Sequence, residues 1–184
     1  MELKGERLLA SDRATAWAAL NDTGMLKNCV PGCESITATG ENQFEIAMTA
    51  AVGPVKARFK GKMALEDIDP GNAYTMKFEA SGGPTGFVRG DARVTLAEQS
   101  PRQTRLTYVA NAHIGGKLAQ VGSRLIDAAA GATADKFFEA FGAQLAARAA
   151  PAAEAAAPAP PVAPAKIGFF SLLLAFLKRL FGRA

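Results

Sequence analysis

Residues 55–65 read VKARFKGKMAL, and the alternation is unbroken. Ala57, Phe59, Gly61, Met63 and Leu65 fall on one side of an extended chain, Lys56, Arg58, Lys60 and Lys62 on the other. A period of two over such a run predicts a strand with one face buried and one in water. Four neighbouring runs repeat the pattern. Phe44, Ile46, Met48 and Ala50 share a side before it; after it come Tyr74, Met76, Phe78 and Ala80, then Val88, Gly90, Ala92, Val94 and Leu96, then Leu106, Tyr108, Ala110, Ala112 and Ile114. Turn residues punctuate the runs at Thr39-Gly40-Glu41-Asn42, Gly53-Pro54, Asp69-Pro70-Gly71-Asn72, Gly82-Gly83-Pro84 and Ser100-Pro101. The opposite positions hold Lys77, Glu79, Arg89, Asp91, Arg93, Arg105 and Thr107. One oily and one solvated face is the pattern of an antiparallel sheet packed on one side.

Working outward, Met1–Ala10 predicts a first strand. Ser11 or Asp12 can cap a short helix in which Ala14, Trp17, Ala18 and Leu20 share a face. A second short helix is expected around Met25–Cys29, ending at Pro31-Gly32. From Gly116 to about Ala149, Leu118, Val121, Leu125, Ile126, Ala129, Phe137, Phe141 and Leu145 recur at helical spacing. The expected order is strand, two short helices, six strands and a long helix, an α+β domain with seven strands.

The chain has 184 residues, 49% hydrophobic and 21% charged, which suits one globular domain plus an appendage. Its one His and two Cys cannot build the usual zinc site, so no metal is expected. Met1–Ala10 carries Glu2, Lys4, Glu6 and Arg7 and offers no signal-peptide core; with no run of about 18 apolar residues either, the expected location is cytoplasmic. The net charge of +4 is unevenly placed. Residues 1–149 hold 17 basic and 16 acidic side chains, whereas residues 166–184 hold Lys166, Lys178, Arg179 and Arg183 and no acid. A nearly neutral body has no basic stripe for phosphates, which argues against nucleic acid as a partner.

Residues 150–165, APAAEAAAPAPPVAPA, hold five of the ten prolines and predict a semi-rigid extended linker. The segment KIGFFSLLLAFLKRLFGRA follows, residues 166–184. Projected as a helix, Phe169, Phe170, Leu172, Leu173, Leu174, Phe176, Leu177, Leu180 and Phe181 lie in one arc of about 200°. Lys178 and Arg179 lie on the complementary side. The mostly apolar run Ile167–Leu177 spans about 17 Å, short of a hydrocarbon core of about 30 Å. An amphipathic helix lying in the membrane interface fits best, its cations meeting anionic lipid.

The inward side of the sheet has a second property. Ala50, Ala57, Gly61, Ala80, Gly90, Ala92, Ala110 and Ala112 are small, and so is the middle of the long helix, Ala128–Ala134. Either sheet and helix approach very closely, or an apolar cavity remains that Met48, Met63, Met76 and Phe137 would line adaptably. Chemistry is scarce there: the inward positions of these five strands hold no Asp, Glu, His, Lys or Arg, and only Tyr74 and Tyr108 offer hydroxyls. His113 alternates outward. Cys29 and Cys33 in Cys-Val-Pro-Gly-Cys read as a reduced structural pair, a redox pair or a metal site. Gly82-Gly83-Pro84-Thr85-Gly86 opens no helix, so it is expected to be a flexible lip over the cavity mouth rather than a phosphate loop.

The element order resembles the helix-grip fold of the START/Bet v 1-like (SRPBCC) superfamily. Within it the chain is similar to the CoxG family of carbon monoxide dehydrogenase accessory proteins. The resemblance rests on MELKG at 1–5, WAALND at 17–22, LKNCVPGCE at 26–34, VKARFKG at 55–61 and GGKLAQVGSRLI at 115–126, and covers residues 1–149. It implies a curved seven-stranded sheet wrapped on a long C-terminal helix around an apolar cavity. It also implies a non-catalytic accessory protein that brings a molybdenum-containing, CO dehydrogenase-type hydroxylase to the cytoplasmic face of the cell membrane. A lipophilic ligand is implied too, an isoprenoid quinone of the respiratory chain, with no covalent cofactor. The expected ligand contacts are Phe59, Met63, Met76, Phe78, Gly90, Ala92, Tyr108 and Ala110 on the sheet, and Leu118, Val121, Leu125, Phe137 and Phe141 on the helix. The competing expectations are a polyketide-cyclase-like enzyme and a ligand-free membrane scaffold.

Overall fold

In the computed structural model, which describes residues 1–155 and side-chain surroundings for residues 1–148, seven strands form one antiparallel sheet. The elements are β1 (Glu2–Leu9), α1 (Arg13–Leu20), α2 (Thr23–Cys29), β2 (Cys33–Gly40), β3 (Gln43–Val52), β4 (Val55–Asp69), β5 (Ala73–Ser81), β6 (Phe87–Ser100), β7 (Gln103–Gly115) and α3 (Ser123–Ala155). Spatial order is β1-β7-β6-β5-β4-β3-β2. Every neighbour after β2 is thus a hairpin partner, and the sheet closes its order by setting β1 beside β7.

The register places the alternating side chains as expected, because directly opposed residues of antiparallel strands share a face. Phe44, Met63, Phe78, Gly90 and Ala112 form one row across five strands. Leu65, Met76, Ala92, Ala110 and Leu3 form another. The outer face carries the row Glu45, Lys62, Glu79, Arg89, His113, so His113 does point away from the helix side. Gly61 and Gly90 mark where neighbouring strands press closest: a Cβ on Gly90 would lie 1.9 Å from the Asn111 carbonyl oxygen, and one on Gly61 2.2 Å from that of Glu79.

The helix starts follow from capping carboxylates. Asp12 accepts from the Thr15 amide at 2.9 Å and the Thr15 hydroxyl at 2.7 Å, so it, and not Ser11, caps α1. Ser11 is buried, and its carbonyl accepts from the Thr104 hydroxyl at 2.9 Å. Asp22 accepts from the Met25 amide at 3.0 Å, which starts α2 two residues before Met25. The helix expected from Gly116 begins later. Gly116–Val121 is a 3-10 turn, and Gly122, at φ 95°, breaks the path before α3 starts at Ser123. Only a residue without a Cβ takes that conformation cheaply.

At its far end α3 reaches Ala155, so residues 150–155 are helical where an extended linker was expected. The reason is composition: residues 150–157 are mostly alanine, the best helix former, and the proline cluster begins only at Pro158. Met1–Pro151 forms one compact unit. The rest of the expected linker and the amphipathic segment at residues 166–184 lie outside the described residues. No described helix is long and apolar enough to cross a membrane.

The packed core sits at one end of the sheet. Phe141 and Leu145 of α3 are 0% and 1% exposed, locked among Leu9, Leu96 and Leu106 of the strands and Ala16, Leu20, Met25 and Cys29 of the short helices. Trp17 of α1 meets Tyr74 of β5 edge to face at 5.8 Å between centroids.

Candidate functional site

Along α3 the packing changes. Positions 126, 130, 134, 137, 141 and 145 form the stripe turned toward the sheet, as the 3.6-residue period requires. Ile126, Phe141 and Leu145 of this stripe are buried, yet Ala130 and Ala134 between them are only half-buried. A Cβ built on the flanking Gly131 would meet nothing within 4 Å. The sheet opposite is in the same condition: Phe44, Ile46, Met48, Met63, Met76, Phe78, Val88, Ala110 and Ala112 are all half-buried. Methionine and phenylalanine at the inner face of a filled core would be nearly inaccessible. The middle of the grip is thus less closely covered than its packed end.

The residues expected to contact a ligand divide into three groups. Met63, Met76, Phe78, Gly90, Tyr108 and Ala110 lie half-buried on the inner face, with Phe137 above it on α3. Phe59, Ala92 and Leu118 are buried, at 5–6% exposure, Ala92 between Met76 and Ala110 in the middle of the inner face, and Phe141 is wholly enclosed in the core. Val121 and Leu125 sit apart. They cover the β3–β4 turn, lying 3.6 and 3.5 Å from where a Gly53 Cβ would be, and Leu125 is 49% exposed.

One feature departs from expectation. The segment Gly82–Gly86 is a 3-10 turn held at both ends: the Gly82 amide donates to the Gly86 carbonyl at 2.8 Å, and the Gly83 amide to the Ser81 hydroxyl at 3.2 Å. Gly86, at φ 131°, presses on the Gly115–Gly116 backbone, where a Cβ would lie 2.0 Å from an oxygen. This contact seats the turn against the β7–α3 connection instead of leaving it a free lip. The cysteines agree with the reduced structural reading: Cys29 is part of the core, 2% exposed, with the Gln144 amide donating to its Sγ at 3.3 Å. Burial raises the pKa of both free thiols, Cys29 and Cys33.

One charged side chain on the inner face was missed. Opposite Leu106, Arg7 of β1 enters the inner face, which the five alternating runs had left without charge. Its guanidinium pairs with Asp135 of α3 and lies over Phe138, 5.3 Å from the ring centroid. Phe138 stacks on Tyr108 at 5.4 Å, and the Tyr108 hydroxyl passes over Gly5, where any Cβ would collide with it at 2.5 Å. Arg7, Asp135 and Tyr108 form a polar corner at the β1 edge of an otherwise apolar surface. The other inner hydroxyl, Tyr74, is buried at the closed end, where desolvation pushes its pKa up to about 12. Among the described residues no three His, Cys, Asp or Glu side chains come together as metal ligands.

Further hollows involve the opposite face. One of about 980 Å³ is lined by Lys62, Lys77, Glu79, Arg89, Asp91 and His113 together with Phe44, Met63, Phe78 and Ala112, and one of about 840 Å³ by Arg58, Lys60, Glu45 and Phe87, among others. Both lie between rows of alternating charge.

Comparison with solved structures places this geometry. A conserved protein from Geobacillus kaustophilus superposes with a TM-score of 0.75 at 27% identity, covering 79% of this chain and 95% of that one. A START superfamily protein from Mycobacterium smegmatis gives 0.61 at 11% identity, covering 78% and 96%. An aromatase/cyclase from a Streptomyces species gives 0.62 at 11% identity, covering 81% and 95%. The last two show the fold alone: a curled seven-stranded sheet gripping a C-terminal helix. No curated protein matches the chain. Among family descriptions, that of CoxG, a carbon monoxide dehydrogenase subunit, matches residues 5–146. The chain belongs to the CoxG family.

Proposed function

We propose that this protein is a non-catalytic accessory protein that holds a lipophilic molecule, an isoprenoid quinone, between its sheet and α3. In this reading it recruits a molybdenum-containing CO dehydrogenase-type enzyme to the cytoplasmic face of the membrane. The observation that carries the ligand is the half-buried apolar inner face beneath Ala130 and Ala134. Such a surface loses contact with water when an apolar chain fills it, at roughly 25 cal/mol per Å². The polar corner at Arg7, Asp135 and Tyr108 would meet the ligand's oxygen-bearing end. The family's name supports the partner, and the amphipathic segment at residues 166–184 supports the membrane.

The test begins with residues 1–155, so that the tail carries no bulk lipid into the preparation. The purified protein is denatured, extracted with organic solvent and assayed by mass spectrometry. Near-stoichiometric quinone is expected. An empty extract, repeated after incubation with added quinone, would leave a recruitment scaffold as the better account. The membrane half is read separately: the full chain should sediment with membranes and the chain lacking residues 166–184 should largely stay in solution.

A further inference from the structure

The two ends of the sheet differ in charge. The connections β2–β3, β4–β5 and β6–β7 (residues 40–43, 66–73 and 97–103) carry Glu41, Glu66, Asp67, Asp69 and Glu98 against Arg102 alone. At the other end lie the β3–β4 turn, the β5–β6 turn and the β7–α3 connection with the first turn of α3, residues 53–56, 82–89 and 116–126. These hold Lys56, Lys117 and Arg124, with Arg89 standing opposite Glu79 of β5, and the first acid along α3 is Asp127. Contacts bring the three segments together: Gly53 lies against Val121 and Leu125, and Gly86 against Gly115 and Gly116. The same end exposes a large apolar side chain, Leu125 at 49%, and Pro54 is exposed at the turn tip.

We propose that this cationic end is a second membrane-docking surface, which seats on anionic phospholipid with Leu125 and Pro54 entering the headgroup layer. Apolar tips on separate turns, flanked by cations, match a lipid interface: the tips gain apolar contact and the cations gain anionic headgroups. The acidic end then points away from the bilayer, which repels it. This contact is additional to the segment at residues 166–184 and independent of which molecule occupies the grip.

The experiment is hydrogen exchange on the full chain, mixed with vesicles of phosphatidylglycerol and phosphatidylcholine or of phosphatidylcholine alone. The expected result is slowed exchange in residues 52–56 and 116–126 on the anionic vesicles only, reversed by high salt. The variant Lys117→Glu/Arg124→Glu, at two exposed positions, should need about tenfold more anionic lipid for the same protection. Vesicle binding without protection in those residues, equal protection on neutral vesicles, or no binding at all would each overturn the docking surface. The ligand reading is scored by extraction and would stand or fall apart from these outcomes.

Discussion

The Arg7 guanidinium lies 5.3 Å above the centre of the Phe138 ring, tying the first strand of the sheet to the last helix at the border between the packed core and the less covered middle of the grip. Its ion pair with Asp135 is largely in water, Asp135 being 70% exposed, so the stacking should be the stronger link. Replacing Arg7 with alanine should cost about 1–2 kcal/mol in urea unfolding, from lost stacking and stem packing. Asp135→Asn should cost less than about 1 kcal/mol. Equal losses in the two variants would assign the link to the ion pair.

The half-buried middle of α3 makes a directional prediction about volume. Ala130→Phe or Ala134→Phe should fold with stability within about 1 kcal/mol of the parent, because the added ring meets no packed neighbour, and should abolish ligand retention. Phe141→Ala, further along the same stripe, should cost about 3–5 kcal/mol. Thermal unfolding and the solvent-extract assay together read both effects. Loss of the fold in either alanine-to-phenylalanine variant would mean the space is absent.

Acid should weaken the helices that carry the core. Asp22 is held below its ordinary value of 3.8, first by the Arg148 guanidinium and then by the Met25 amide, and Asp12 by the Thr15 hydroxyl and amide. A carboxylate with a depressed folded pKa stabilises fully above its unfolded value and loses that contribution as pH falls through the folded one. Urea midpoints should therefore drop below about pH 4, and less steeply in Asp22→Asn and Asp12→Asn than in the parent. Parallel acid limbs would contradict the two caps.

The thiols should differ in access. A thiol-alkylating reagent near neutral pH should label Cys33, half-buried on β2, slowly, and Cys29 only once the core opens. Peptide mapping after timed alkylation reads the order. Ready formation of a Cys29–Cys33 disulfide in the folded protein would instead favour a redox pair.

The faces of β3 to β7 were legible because alternation in Val55–Leu65 and its neighbours is a local property that register merely repeats across strands. Arg7 escaped that logic. In β1 both sides carry a charge, Glu2, Lys4 and Glu6 against Arg7, so period two does not say which side is inner; pairing with Ala110, Tyr108 and Leu106 does. Gly90 reads in sequence as a small wall of a cavity, but its smallness answers to the Asn111 carbonyl of another strand, a contact that no spacing reveals. The start of α3 was hidden for a similar reason, since Leu118 and Val121 keep helical spacing within a 3-10 turn that only the positive φ of Gly122 separates from the helix. The family segments, by contrast, were readable directly, and the match over residues 5–146 agrees with them.

A helix clamped at Phe141 and Leu145 and slack at Ala130 and Ala134 should not melt as a single cooperative unit. Its amides from 124 to 134 would exchange through small local openings, and those from 137 to 145 only through global unfolding. Cargo of different lengths could then be admitted by lifting the leading turns alone. Capacity for cargo and thermal endurance would be set by separate stretches of one helix, free to drift independently among relatives.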